Sequence, residues 1–367
     1  AVGYQALKGS DTESNNTGLY NTALGHKALT SVSSGSFNVA VGSRSLMSNT
    51  SGIQNTAIGD NAMSENTTGK WNVALGAGAL KNNLSGFSST AIGLSSLGAN
   101  TTGVRNVAIG VNSLKMNTVG SANVAIGHSA LRDMSGVNTV TSIADNFSYS
   151  PSSENTAVGN FSMMHNTEGS FNTAFGYSSL QYNTTGFNNT SIGIYTLFQN
   201  YGGVSNTALG SFALNGVQNG IDNVAVGSGS GQDLANNSSN NTFLGSFAGG
   251  TSTNTINEAT GITNSVALGY GAKVATSNTI QLGNTDVTSV RTSGTVSATA
   301  FVGDGSGLTN VGGGALFDTR NNMVINGQSP STPSLNLAPI DNSSTTFNEA
   351  TGSSANNIMI GDNMITF

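Results

Sequence analysis

Glycine recurs in this chain at a fixed interval. Gly25, Gly42, Gly59, Gly76, Gly93, Gly110 and Gly127 are each 17 residues apart, and the spacing resumes at Gly159, Gly176, Gly193, Gly210 and Gly227. Looser copies sit at Gly3, Gly245, Gly269 and Gly283. Such regularity restricts the fold to architectures in which each repeat is one supersecondary unit stacked on the next. With the motif glycine as position five of the unit, position one is Asn at Asn21, Asn38, Asn55, Asn72, Asn106 and Asn123, with Ser89 as an exception. Position two is Thr or Val, position three Ala, and position four Leu, Val or Ile. Position eight is Ala or Ser, and position nine Leu or Met.

These columns read as strand and turn. Positions two and four are β-branched or aliphatic and fall on one face of a short strand, with position three on the other. The strand ends at a glycine, which admits the positive φ of a tight turn. A second short strand is expected at the Ala-Leu pair of positions eight and nine. A second glycine follows (Gly52, Gly69, Gly86, Gly103), three residues before the next position one. A unit with two fixed glycines cannot hold a helical hairpin, because Gly costs about 1 kcal/mol per helical site. The fold class is therefore all-β, a parallel β-roll or β-solenoid of 17-residue coils. Asn in register would form an amide ladder along the stack. Roughly fourteen coils at about 4.8 Å would make a rod of roughly 65–70 Å.

The 367 residues contain 49 Gly, no Cys and only 8% charged side chains. Chains of this polarity are often disordered, but those are usually rich in charge and Pro; regular small apolar residues with little charge suit a thin core repeated many times. Such a core looks too thin to offset the ordering entropy of one chain alone. The small residues at positions three and eight would let another chain approach, which points to a homotrimer, intertwined or side by side. The 11 Lys and Arg are scattered, so phosphate neutralisation has no basic patch to work with and nucleic acid is not an expected partner. No apolar run reaches the 18 residues of a membrane span, so membrane insertion is not expected.

The Asn-Thr-Ala-Ile-Gly unit, and Asn264-Ser265-Val266-Ala267-Leu268-Gly269, resemble the head repeats of trimeric autotransporter adhesins over about residues 1–283. That resemblance implies left-handed parallel β-rolls that trimerise. The family's unit is nearer 14 residues, a spacing matched here by Gly269 to Gly283; the 17-residue unit resembles repeats of phage tail fibres. Ser297 to Val311, containing Gly303-Asp304-Gly305-Ser306-Gly307, resembles a connector common in tail-fibre proteins. Together the resemblances imply a structural fibre protein of a phage tail or phage-like injection system. It would be extracellular, attached to other fibre or baseplate proteins, and would bind a host-cell surface glycan or protein. A bacterial trimeric surface adhesin head is the alternative within the same resemblance.

The chain divides on this reading into a β-roll stack (1–136), an inserted loop (137–154), a continued stack (155–283), a connector (284–312), and a linker with a restarted coil (313–367). The restart is suggested by Asn356-Asn357-Ile358-Met359-Ile360-Gly361, and the linker by Gly312-Gly313-Gly314 and Ser329-Pro330-Ser331-Thr332-Pro333-Ser334. Solenoid insertions often carry binding function, so Asn146, Phe147 and Tyr149 form a candidate receptor-binding loop. Phe161, Tyr177, Tyr195 and Phe212 follow motif glycines and are candidates for an exposed aromatic patch. Tyr20, Phe37, Trp71, Phe87, Phe171 and Phe187, near the turns, are candidates for glycan platforms, but they alternate with Ile53, Val104 and Ile221 and so read rather as caps on the core edge.

No catalytic chemistry is expected. Ile58-Gly59-Asp60-Asn61-Ala62-Met63 fits one hexad of the acyltransferase β-helix, but only one hexad fits per 17 residues. His26 and His128 occupy a variable surface column, and His165 is the third and last histidine. Gly303 to Gly307 lacks the Lys-Ser/Thr ending of a phosphate loop, and regularly spaced Asp for calcium repeats is missing. No cofactor or metal is expected. Ice binding is a reading of a different class, since outward Thr ranks could form at position two, although Thr alternates there with Val.

Overall fold

The computed structural model describes residues 1–9, 16–135, 153–250, 261–294 and 297, together with the backbone of five short strands beyond them. The chain falls into two compact units, Ala1–Val290 and Arg291–Phe367.

The first unit is a β-solenoid. Its strands are β1 (Thr22–Leu24), β2 (Val39–Val41), β3 (Thr56–Ile58), β4 (Val73–Leu75), β5 (Thr90–Ile92), β6 (Val107–Ile109), β7 (Val124–Ile126) and β8 (Thr156–Val158). They continue as β9 (Thr173–Phe175), β10 (Thr190–Ile192), β11 (Thr207–Leu209), β12 (Val224–Val226), β13 (Thr242–Leu244), β14 (Gly249–Gly250), β15 (Val266–Leu268), β16 (Lys273–Val274) and β17 (Ile280–Leu282). Fifteen of them form one sheet in chain order, with β14 and β16 paired separately. Pairing is parallel and in register, position two on position two and three on three, as in Thr22↔Val39 and Ala23↔Ala40. Among the described residues there is no helix.

The inward and outward faces of this sheet reverse the expected roles of its columns. The middle residue of each strand is buried and its neighbours are partly or fully exposed, as in Val73, Ala74 and Leu75. The small residues at positions three and eight therefore face this chain's own core, not a second chain. Ala40, Ala57, Ala74, Ala28, Ser45 and Ala62 are all fully buried. The two walls of the coil approach so closely that only Ala fits opposite Leu29, Leu46, Met63 or Leu80. Each coil thus buries one large side chain, worth about 1.5–3 kcal/mol, and many such coils add up. The small columns are accounted for within one chain and carry no argument for a trimer.

The second wall is also not the strand that was expected. Positions seven and nine hold left-handed backbone: Lys27 has φ 58° and Leu29 φ 50°, Arg44 φ 54° and Leu46 φ 49°, Ser95 φ 54° and Leu97 φ 51°. The amides alternate direction, Lys27 N donating to Tyr4 O in one neighbouring coil and Leu29 N to Ser45 O in the other. The last residue before each position one is left-handed too, as at Tyr20, Trp71 and Arg105. A β-branched side chain is a steric outlier at such angles. That explains why position nine is Leu or Met and never Val or Ile in these coils. The sheet's own turn behaves as expected: at Gly42 φ is 124°, and a Cβ there would lie 2.5 Å from Gly59 O.

Two amide ladders run along the stack. At position one, Asn38 Nδ2 donates to Asn21 Oδ1 at 3.1 Å, Asn55 to Asn38 at 3.1 Å and Asn72 to Asn55 at 3.2 Å. Each Nδ2 also donates to a turn glycine carbonyl, as Asn38 does to Gly52 O at 2.9 Å. The second ladder lies at position twelve, three residues before the second glycine. It links Asn49, Asn66, Asn83, Asn100 and Asn117 through contacts of 2.7, 2.7, 2.8 and 3.1 Å, and restarts through Asn166, Asn183 and Asn200. Met134 and Val217 take its place in the following coils, and both are fully buried. The buried Oδ1 atoms of Asn117 and Asn200 consequently have no donor.

Volume is conserved where the core changes. Phe243 replaces Ala at position three and is fully buried. The facing wall there carries Gly231 and Gly249 at position nine instead of Leu, and a Cβ on Gly231 would come 3.2 Å from the Phe243 ring.

The large insertion leaves the stack undisturbed. β7 pairs directly with β8, Val124↔Thr156, and Asn155 Nδ2 donates to Asn123 Oδ1 at 3.2 Å across 32 residues of sequence. Thr118 Oγ1 donates to Ser135 O at 2.8 Å on one side, and Glu154 N to Ser121 O at 3.1 Å on the other. Ser153 and Glu154 therefore belong to the coil, not to the loop in which they were expected. Residues 136–152 lie outside the described residues.

The second unit departs from the expected restarted coil, while Gly312 to Gly314 and Ser329 to Ser334, expected as linker, lie outside the described residues. β18 (Leu316–Phe317), β19 (Met323–Ile325) and β20 (Leu335–Asn336) form an antiparallel sheet. β21 (Ile358–Ile360) and β22 (Asn363–Ile365) pair antiparallel. The repeat-like Asn357-Ile358-Met359-Ile360-Gly361 thus belongs to a hairpin, because only two residues separate its strands and a two-residue loop closes an antiparallel pair. Nearly all of the connector from Ser297 to Val311 lies outside the described residues.

Candidate functional site

Two surfaces of the solenoid are distinctive. The first is the outward face of the sheet. Positions two and four of its fifteen strands form two rows of Thr, Val, Leu, Ile and one Phe, with no charged residue. Leu24, Leu75, Phe175, Leu209 and Leu244 are exposed there. At parallel-strand spacing these rows run for roughly 67 Å. The position-four row is wholly apolar and the position-two row mixes Val and Ile with Thr, and an uncharged, largely aliphatic strip of that length exceeds the patches ordinarily left in water by monomers.

The second surface is on the other wall, at positions six, seven, ten and eleven. All four candidate aromatics meet there. Phe161 and Tyr177 lie edge to face at 5.8 Å between centroids, Tyr177 and Tyr195 at 5.4 Å, and Tyr195 stacks on Phe212 at 5.4 Å. The structure extends this set beyond the sequence reading. His128 packs edge-on to Phe161 at 5.4 Å. Tyr195 also meets Phe198 at 5.2 Å, Phe198 meets Tyr182 at 4.9 Å, and Tyr182 stacks on His165 at 4.9 Å. Eight rings from five successive coils form one connected ribbon. Tyr177 and Phe212 are exposed, and Phe161, Tyr182, Tyr195 and Phe198 are half-buried.

Fixed polar groups border the ribbon. His165 Nδ1 lies 2.8 Å from Asp133 Oδ2. Arg132 Nε and Nη2 donate to the two oxygens of the same carboxylate at 2.6 and 2.9 Å. Partial burial pushes the Asp133 carboxyl up, but hydrogen bonds from Arg132 and His165, with their charge, hold it below the usual aspartate range. Arg132 is pushed up, chiefly by its hydrogen bond to Asp133. A hydrogen bond with the Tyr177 hydroxyl, together with desolvation, raises the Tyr195 phenol. The ring partners at positions ten and eleven were hidden in sequence because they alternate between columns. Their signal is i to i+17 adjacency, as in His165 and Tyr182.

The other sequence candidates separate from this surface. Asn146, Phe147 and Tyr149 lie outside the described residues. Of the aromatics near the turns, Tyr20, Phe37, Trp71, Phe171 and Phe187 are exposed and do not cap the core, while Phe87 is half-buried. Their backbone accounts for this, since left-handed φ at Tyr20, Phe37, Trp71 and Phe171 accompanies side chains turned away from the core. Tyr20 stacks on Phe37 at 5.0 Å, and Trp71 Nε1 donates to Gln54 Oε1 at 2.8 Å. Among the described residues no group of three or more His, Cys, Asp or Glu could hold a metal, and no helix is long and apolar enough to cross a membrane. No protein-family model matches the chain, and no curated protein matches it.

Proposed function

We propose that the chain is a structural fibre protein of a phage tail or phage-like injection system, working as an extracellular homotrimer that meets a host-cell surface. The observation that carries this reading is the outward face of the sheet. Its two uncharged rows repeat at the strand spacing along the whole stack. A partner matching that period along its length is another copy of the same stack. The oligomer therefore rests on the exposed aliphatic rows, in place of the buried alanines. The resemblance of Ser297 to Val311 to a tail-fibre connector favours a fibre over a bacterial surface adhesin.

Sedimentation equilibrium of the full chain tests it. Three chains per particle are expected, with dissociation when Ile109→Asp places a charge in the outward row. A stable monomer would overturn the oligomer and the fibre reading with it.

One observation favours a second reading. Position two faces outward and includes Thr22, Thr56, Thr90, Thr156, Thr173, Thr190 and Thr207, as an ice-binding face would. Thermal hysteresis by the monomer, lost in Thr173→Tyr, would favour it over the fibre.

A further inference from the structure

We infer that the aromatic ribbon from His128 to Phe212 is a binding site for a neutral glycan chain, with hexopyranose units lying across its rings. The inference deepens the reading of the chain as a cell-surface-binding protein, and rests on that reading for the source of the glycan.

The first argument is an internal control supplied by the repeat. Among the earlier coils only the first two hold rings at these positions, Tyr4 and His26, stacked at 5.6 Å; the coils after them hold Ser43 and Arg44, Asp60 and Asn61, Ala77 and Gly78, and Lys81 and Lys115. Those coils stack with the same register and the same ladders. The scaffold therefore needs no ring there. Eight rings gathered in five successive coils are an addition to the fold, placed in columns that are free to vary.

The second argument is the chemistry of the surface. It differs from the sheet face, whose outward rows are aliphatic and threonine apart from Phe175. Here rings alternate with hydrogen-bonding groups: Asn160, Gln181 and Gln199 lie in the same columns as the rings, and Asp133 is fixed at one end. A pyranose has an apolar C–H face and a rim of hydroxyls. Aromatic faces accept the former, and amides and a carboxylate accept and donate to the latter. An aliphatic protein partner would gain nothing from the amides. A polyanion would meet the carboxylate of Asp133, with Arg132 and His165 already engaged by that carboxylate.

The third argument is shape. The rings follow the solenoid axis over five coils, roughly 19 Å at strand spacing. That favours an extended oligosaccharide over a single sugar.

The test uses the full chain on an array of neutral hexose and N-acetylhexosamine oligosaccharides, with sialylated and sulfated glycans beside them. Retention of neutral chains of three or more units is expected. The double variant Tyr177→Ser, Tyr195→Ser should lose at least tenfold in affinity. It is built to fold, because Ser43 and Ser211 occupy the first of these positions in other coils, and Ser129 and Ser178 the second, with φ 55° and 53°. Tyr20→Ser, on another exposed aromatic, should bind as wild type. The proposal is overturned if no neutral glycan is retained, if only anionic glycans bind, or if the double variant binds unchanged. Sedimentation of the same samples separates the outcomes: an intact trimer without glycan binding sinks the ribbon and leaves the fibre standing.

Discussion

Replacing Asn by Val at two rungs of the position-twelve ladder should give different costs, although the two residues share chemistry and burial. Asn83 and Asn117 are both fully buried. Asn83 Nδ2 donates to Asn66 Oδ1 at 2.7 Å and to Gly86 O at 3.0 Å. Asn117 Nδ2 donates to Asn100 Oδ1 at 3.1 Å and to Gly120 O at 3.0 Å. Both glycine carbonyls keep a second donor, Asn72 for Gly86 at 2.9 Å and Asn106 for Gly120 at 2.8 Å. The difference lies in what remains. Asn83→Val strands Asn66 Oδ1 in the core and removes the acceptor of Asn100 Nδ2. Asn117→Val strands Asn100 Oδ1, but takes away the Asn117 Oδ1 that already lacks a donor. One orphaned buried acceptor costs about 1–3 kcal/mol and one net hydrogen bond about 0.5–1.5 kcal/mol. Asn83→Val should therefore be the more destabilising by about 2–4 kcal/mol. Urea unfolding followed by far-ultraviolet circular dichroism would read this as a lower midpoint at equal slope. Equal midpoints for the two variants, or the reverse order, would refute the idea that the ladder's end already carries its fault.

Leu80→Ile should destabilise by about 1–3 kcal/mol, because a β-branched residue is forced to a left-handed φ, here 50° at Leu80; Leu80→Met should cost less than about 1.5 kcal/mol, and thermal melts of the pair decide between backbone strain and lost volume. Phe243→Ala should cost about 3–5 kcal/mol, since Gly231 and Gly249 leave the facing wall without a side chain to fill the space; the combination with Gly231→Leu should recover less than half, because a Cβ at Gly231 would lie 2.7 Å from Leu214 Cδ2. The depressed Asp133 carboxyl contributes stability that is present above its ordinary value of 3.8 and is lost as pH falls through its lower folded value. Melting temperature should thus fall below about pH 4 less steeply in Asp133→Asn than in wild type, and parallel curves would show the Arg132 and His165 contacts to be inert.

The parts legible in sequence were those that repeat positively. A residue type recurring every 17 positions announced the strand, its glycine turn and the position-one ladder. The second wall was misread because its signature is an exclusion: positions seven and seventeen tolerate many side chains, position nine is mostly Leu or Met, and none of the three holds Val, Ile or Thr in the coils through that of Gly269. The face of the sheet that turns inward was misassigned for a different reason. Alternation places Ala40 opposite Val39 and Val41 but does not say which side is the core. Transfer energy alone would bury valine; the closeness of Leu46 on the other wall leaves room only for alanine. At Ile358–Ile360 the local motif was right for a strand and wrong for its partner, since pairing depends on a loop outside the motif. The four glycine-flanked rings of the ribbon were visible as candidates, and the other four were not, because their adjacency exists only after coiling.

The amide ladders also give the solenoid a direction. Every side-chain amide hydrogen bond between successive rungs runs the same way, Nδ2 toward the preceding coil and Oδ1 toward the following one. Two columns of aligned dipoles therefore add along the axis, with donor ends facing the N-terminal coils and acceptor ends facing the C-terminal coils. The unmatched atoms of Asn117 and Asn200 are both oxygens, and both lie at the C-terminal end of their segment. Stacks joined end to end would continue these columns only head to tail, and a coil grafted after Asn200 must present a donor to be accepted.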